Sequence, residues 1–173
     1  GDLAKQLECL RLLGEAFQKD RVPFIQLIYS PFAQAIRLAG HDIIMSHLRR
    51  EPARLQTGLN ILTESTLRFI EAMRRTPVDG ILYVIEGATY TSLSEQEYRT
   101  FGTPYDQKIL ESLAPEWWLN IAQISGQSPM LNLISQYRVP IISWANQNIS
   151  DYTLETARTL FRGVLCSGLG HYH

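Results

Sequence analysis

The chain has 173 residues, of which 45% are hydrophobic and 19% are charged, a composition typical of a soluble globular domain. Its formal net charge is -1 and its basic residues are scattered, which argues against binding to nucleic acid or to anionic membranes. With two cysteines far apart, neither a disulfide framework nor a thiolate metal site is expected. Because no long apolar run and no signal-like segment occur, we expect a cytoplasmic protein.

The first half of the chain alternates between helical and strand-like patterns. Apolar residues at positions 3, 7, 10, 13 and 17 predict a first helix, and "VPFIQLIYSPF" predicts a buried strand that Pro31 ends. Two helices are predicted next, with a break near Glu51 and Pro52 and a stop before Pro77. The continuous apolar run "VDGILYVIEGA" is typical of a strand that is covered on both faces.

The second half begins with a helix start signal, because Ser94 stands three residues before Glu97 as in a capping box. After this helix, the predicted elements are a strand in the stretch 117–129, a helix at 128–139, a strand at 140–148, a helix at 150–163 and a strand at 164–173. Ser150 or Asp151 is the expected cap of the last helix.

Five apolar strands that alternate with helices predict a parallel sheet with right-handed crossovers, and the absence of a low-complexity linker predicts one domain over residues 1–173. Two architectures fit this order: an open doubly wound sheet, or part of an eight-stranded barrel. Neither of the glycine-rich phosphate-binding motifs occurs, so a nucleotide-binding open sheet lacks its usual support.

Polar side chains follow the predicted strands at their carboxyl ends, where the functional sites of such folds lie. Glu86 is the best candidate for acid–base chemistry because it ends an apolar strand, and pairing with a Lys or Arg is the alternative. The remaining groups are mostly neutral and suit recognition of a polar small molecule better than nucleophilic catalysis. The candidates for this mouth are Tyr29, Ser30, Arg37, Glu86, Gln123, Ser125, Trp144, Asn146, Asn148 and His171.

Several simpler interpretations stand beside these. A polar residue at a strand end more often satisfies loop backbone and faces water, and Trp117 and Trp118 fit packing better than ligand stacking. Four scattered histidines without ligand spacing predict no metal site. No serine lies in G-x-S-x-G, so a hydrolase elbow is absent.

Stretches spread over the chain, from about Val22 to His171, resemble segments of the uroporphyrinogen decarboxylase superfamily in the same order. "YSPFAQAIRLAG" resembles its "APFT" segment, and "SEQEYRTFGTPYDQKIL" resembles its segment ending in "F..PY...I". "WLNIAQISG", "YRVPIISWANQ" and "RGVLCSGLGH" resemble the three strands that follow.

The resemblance implies a TIM (β/α)8 barrel, of which this chain holds about strands three to seven. Such an incomplete barrel leaves bare parallel edges and an uncovered core, which favours aggregation. We therefore expect the chain to pair with another copy or to belong to a longer chain.

The resemblance also implies a carboxy-lyase of porphyrin biosynthesis or a related enzyme that decarboxylates a tetrapyrrole or another carboxylate without a cofactor. Arg37, which stands where those enzymes have a Tyr, is then expected to anchor a carboxylate, and Glu86 to donate or accept a proton. The other residues are expected to bind the substrate: Tyr29, Ser30, Gln123, Ser125, Trp144, Asn146 and His171.

Some relatives transfer methyl groups from corrinoids and bind zinc through a His-x-Cys-Gly strand end, which falls on Gln123-Ile124-Ser125-Gly126 here. Since neither Gln nor Ser is a normal zinc ligand, we expect no zinc at this position. Methyl transfer with a corrinoid partner and a non-catalytic binding role remain the alternatives.

Overall fold

The structure, a computed structural model, describes residues 1–144 and 152–167. The helices in this part of the chain are α1 (Asp2–Lys19), α2 (Pro31–Ala39), α3 (His41–Arg50), α4 (Pro52–Met73), α5 (Glu95–Phe101), α6 (Thr103–Glu111), α7 (Leu131–Ile134) and α8 (Leu154–Leu160). The strands are β1 (Ile25–Tyr29), β2 (Gly80–Ile85), β3 (Ile121–Ile124), β4 (Ile141–Trp144) and β5 (Val164–Cys166).

The five strands form one parallel sheet whose spatial order, β1-β2-β3-β4-β5, is the order of the strands in the chain. A doubly wound sheet reverses its order at a switch point, whereas a TIM barrel adds each strand beside the preceding one. The sheet is therefore part of a TIM barrel, as the resemblance implies. Of the two architectures that the element pattern allowed, the open doubly wound sheet is excluded.

The two faces of the sheet differ in their cover. Successive side chains of a strand point to opposite faces, and those of Ile81, Tyr83 and Ile85 are fully buried against the helices. On the other face, Leu27 is 42% exposed and Val164 is 55% exposed. We call this second face the open face. The strand register places its apolar residues in one row: Leu27, Leu82, Ile121, Ile141 and Val164.

The helix boundaries follow local capping. The break between α3 and α4 at Glu51 and the capping box of Ser94 and Glu97 are both as predicted. Thr153 caps α8, because its hydroxyl accepts a hydrogen bond of 3.2 Å from the Thr156 N–H. This helix begins at Leu154, later than predicted, and the expected caps Ser150 and Asp151 lie outside the described residues.

Several elements are shorter than predicted, and the helix α2 was not predicted. The third strand begins only at Ile121, because Trp118 lies outside the sheet and its indole N–H donates to Asp79 over 3.1 Å. Pro31 follows β1 and also occupies the first position of α2, where the N–H that proline lacks would have no partner within the helix.

In the part of the chain that the structure describes, no helix has the length and apolar character to cross a membrane.

Candidate functional site at the carboxyl ends of the strands

The backbone of neighbouring strands stays paired for one residue beyond the sheet. The Ser30 N–H donates to the Val84 carbonyl and the Ser125 N–H donates to the Ile85 carbonyl, each over 2.9 Å. These bonds bring the residues that follow β1, β2 and β3 to the same edge. Tyr29, Glu86 and Ser125 consequently share one mouth, as the parallel order requires.

Arg37 and Glu86 form an ion pair at this mouth. Arg37 Nη2 lies 2.5 Å from Glu86 Oε1, and the guanidinium carbon stands 4.0 Å from the centroid of the Tyr29 ring. The Arg37 side chain is 50% exposed and that of Glu86 is 22% exposed, so water reaches the arginine more than the carboxylate. Arg37 therefore contacts two other predicted site residues, Tyr29 and Glu86, and Glu86 is paired with an arginine, the alternative considered for it.

The backbone on both sides of this pair is held in place. Gly87 has a φ of +85°, and a Cβ atom there would stand 2.7 Å from the buried ring of Phe32. On the β1 side, the Gln34 side chain donates to the Tyr29 carbonyl over 2.8 Å and to the Thr66 hydroxyl over 2.9 Å. Glu86 and Tyr29 are thus carried by a fixed backbone, while Arg37 reaches them on a long side chain.

The loops that follow β2 and β3 are joined, a feature that the sequence analysis missed. Thr89 and Pro129 form an isolated antiparallel bridge, and the Tyr90 N–H donates to the Ser128 carbonyl over 2.9 Å. Gly126, with a φ of +109°, lies close to the Thr89 side chain. The glycine of the Gln-x-Ser-Gly stretch was the available signal, since its positive φ permits this close approach.

The remaining predicted residues have different surroundings. Gln123 is partly exposed on the open face and Ser125 is partly exposed at the mouth. Ser30 is fully buried and its hydroxyl accepts a hydrogen bond of 3.1 Å from the Ala33 N–H, so it serves as the cap of α2. Asn146 and His171, and also Asn148, lie outside the described residues.

Trp144 does not face the mouth. It stands opposite Ile124 in the strand register, and both residues are buried on the helix side of the sheet. Trp144 is 2% exposed, and its indole N–H has no hydrogen-bond partner within the described residues. Because alternate residues of a strand point to opposite faces, the position that ends β4 points away from the ligand side.

A buried carboxylate lies on the helix side of the sheet, and no motif in the sequence pointed to it. Asp106 accepts hydrogen bonds from the hydroxyls of Tyr83, Tyr98 and Tyr137 over 2.8, 2.7 and 2.9 Å. Burial raises the pKa of Asp106 from 3.8 to about 6, against the opposing effect of the three hydroxyl donors. Burial likewise raises the pKa of each tyrosine, so all three remain hydrogen-bond donors. This cluster stabilises the packing of α5 and α6 on β2.

The donor set at the mouth does not resemble a zinc site. In residues 1–144 and 152–167, no group of three or more His, Cys, Asp or Glu residues is placed to hold a metal ion. The amide of Gln123 and the hydroxyl of Ser125 are poor zinc ligands, so these residues do not fit the metal of the corrinoid-dependent relatives.

Parallel strands in sequential order, with charged and polar side chains at their carboxyl edge, define a protein of the TIM-barrel class. Residues 1–164 match the model of the family described as Uroporphyrinogen decarboxylase (URO-D), and the chain belongs to this family.

A solved structure described as a methyltransferase from Methanosarcina mazei is similar to this chain, with a TM-score of 0.71 and 19% sequence identity. The similarity covers 95% of this chain and 57% of that chain. The chain thus spans little more than half of that structure, and the likeness establishes a shared fold. Among curated proteins, none matches the chain.

Proposed function

We propose that this chain forms the substrate-binding mouth of an enzyme that decarboxylates a carboxylated small molecule, a tetrapyrrole or another organic acid, without a cofactor. The observation that carries the proposal is the Arg37–Glu86 pair at the carboxyl ends of β1 and β2. The membership of the uroporphyrinogen decarboxylase family supports the same reaction class.

Arg37 suits the binding of a substrate carboxylate. A guanidinium group has five N–H donors in a planar fork that matches a carboxylate, and its bonds to ionised acceptors are stronger than neutral ones. The hydrogen bond to Glu86 uses one of these donors, and the half-exposed side chain leaves the others open to the mouth.

Glu86 suits proton transfer. When a carboxylate leaves as CO2, the electron pair of the broken carbon–carbon bond stays on the substrate carbon, which then takes up a proton. The carboxyl group of Glu86, next to the anchoring arginine, is in position to donate that proton or to accept it in the reverse step. In this proposal, Gln123 and Ser125 contribute neutral hydrogen bonds that orient the substrate.

The test is conversion of uroporphyrinogen to coproporphyrinogen by the purified protein. The reaction is measured by chromatography of the oxidised porphyrins and by the release of CO2. Arg37→Gln is expected to lower kcat/KM roughly 10- to 100-fold, because it removes hydrogen bonds to a charged group. Arg11→Gln is the matched control. Arg11 pairs with Glu8 and Glu15 on the surface of α1, so the substitution should leave the rate unchanged. Equal rates for the wild type and Arg37→Gln would count against the proposal.

Methyl transfer is the second candidate, and the structural likeness to a methyltransferase favours it. This reaction predicts demethylation of methylcobalamin in the presence of a thiol, seen as a change in the visible spectrum, together with stoichiometric zinc by metal analysis. Gln123 and Ser125 argue against it, because they replace the expected ligands with an amide and a hydroxyl.

A further inference from the structure

The Arg37–Glu86 pair has one stationary partner and one movable partner. Glu86 is followed by Gly87, whose backbone lies close to the buried Phe32 ring. The Glu86 side chain is 22% exposed. Arg37 extends a flexible side chain from α2 and is 50% exposed. The guanidinium can therefore change its partner while the carboxylate stays where it is.

We propose that Glu86 competes with the ligand for Arg37. In the free protein the Glu86 carboxylate binds the guanidinium, and a small carboxylate ligand binds by displacing Glu86 from Arg37. The inference rests on the proposed function, because it uses the same mouth and the same arginine. It makes Glu86 a residue that sets affinity, in addition to any part in proton transfer.

Tyr29 explains how the arginine can change partners at low cost. The guanidinium lies 4.0 Å from the centroid of the Tyr29 ring, and this contact does not depend on which anion the N–H groups bind. The Gln34 side chain donates to the Tyr29 carbonyl, so the backbone that carries the ring is hydrogen-bonded beside Arg37. In this proposal, a ligand replaces the contact of Arg37 with Glu86, and Arg37 keeps its contact with the Tyr29 ring.

The expected strength of the competition follows from exposure. Ion pairs with a half-exposed partner are weak, because water screens the charges and ordering the side chains costs entropy. Replacing Glu86 with a neutral residue of the same shape is therefore expected to raise the affinity of Arg37 for a carboxylate by about fivefold.

The test is a titration with citrate at constant ionic strength in which the NMR signal of the Arg37 Nε–H group is monitored. This signal is assigned by its loss in Arg37→Lys. Glu86→Gln is expected to bind citrate about fivefold more tightly than the wild type. Glu64→Gln is the matched control. It removes the same charge from another exposed ion pair, with Lys108 on α6, and should leave the citrate affinity unchanged.

Each result decides between the possibilities. Equal or weaker citrate binding by Glu86→Gln overturns the competition and leaves the carboxylate-binding function intact. A gain of the same size in Glu64→Gln also overturns it, because the effect is then due to net charge. If citrate moves the Arg37 signal in no variant, carboxylate binding at this mouth is wrong and the competition fails with it.

Discussion

At the scale of single residues, the mouth depends on a few positions whose geometry is specific. Gly87 is one of them, because its φ of +85° lies in the region that favours glycine and its Cα packs against Phe32. Asp106 is another, because its carboxylate is fully buried and accepts hydrogen bonds from three tyrosines. Neither residue is part of the Arg37–Glu86 pair, yet Gly87 directly follows Glu86 and Asp106 is hydrogen-bonded to Tyr83 of β2.

Gly87→Ala is expected to lower the free energy of unfolding by about 1–3 kcal/mol, because a side chain there is strained and meets the Phe32 ring. Urea unfolding measures this change. Gly58→Ala is the control with the opposite sign: Gly58 lies within α4 with open space around it, and alanine there should stabilise by about 0.5–1 kcal/mol. A Gly87→Ala variant as stable as the wild type would contradict the strain at this turn.

Asp106 makes stability depend on pH. Its pKa is raised to about 6 in the folded protein, so the folded state binds the proton more tightly than the unfolded state does. The stabilisation due to this proton is fully present below the unfolded pKa of about 3.8 and is lost as pH rises through about 6, by about 3 kcal/mol in all.

Urea unfolding of the wild type and Asp106→Asn at several pH values tests this. Between about pH 4 and pH 6, the wild type is expected to lose stability relative to Asp106→Asn, which has no proton to bind. A stability difference between the wild type and Asp106→Asn that does not vary with pH would show that the Asp106 carboxylate keeps an ordinary pKa in the fold.

At the scale of elements, local signals predicted where helices begin better than how long the elements run. The capping box of Ser94 and Glu97 is present in full, with the Ser94 N–H donating to the Glu97 carboxylate over 2.8 Å. By contrast, the helix predicted at 128–139 shortens to α7, and the strand predicted from Trp117 shortens to β3. Start signals are made by neighbouring residues, whereas element lengths depend on what packs against them.

Ser94→Ala is expected to cost about 1 kcal/mol of stability, because it leaves the Glu97 N–H at the start of α5 without its acceptor. Thermal or urea unfolding measures the loss. Thr57→Ala is the control, since Thr57 is exposed in the interior of α4 and only returns a hydrogen bond to the Ala53 carbonyl. It should stay within about 0.5 kcal/mol of the wild type, and an equal loss in both variants would rule out a specific capping effect.

At the scale of the whole molecule, the sheet is open on one face and at both edges of the described part. The apolar row of the open face is partly in contact with water, with Leu27 42% exposed and Val164 55% exposed. A cleft of about 310 Å³ runs beside β1, between this strand and α4. Unpaired strand edges and exposed apolar rows favour association with another strand or surface.

We predict that this chain, purified by itself, self-associates through the open face. Leu27→Lys should weaken association in sedimentation experiments by placing a charge in the apolar row. Leu38→Lys is the control, because Leu38 is 76% exposed on α2 and lies outside that row. A folded wild-type chain that stays monomeric at every concentration would contradict the prediction.

Part of the candidate site could be read from the strand ends, because parallel strands bring their carboxyl ends to one edge whatever their sequence. Tyr29, Glu86 and Ser125 follow from that rule alone. The contacts could not be read in this way. Arg37 reaches Glu86 across 49 positions of the chain, and the direction of Trp144 depends on the residue at which β4 begins to pair.

The sequence by itself determined the alternation of strands and helices, the parallel sheet and the family, since these depend on local periodicity and on motifs in a fixed order. Only the tertiary structure decided the sequential strand order, the pairing of Arg37 with Glu86 and the burial of Asp106 among three tyrosines. The physical reason is that these features join residues distant in the chain, so their energies depend on packing that no local pattern specifies.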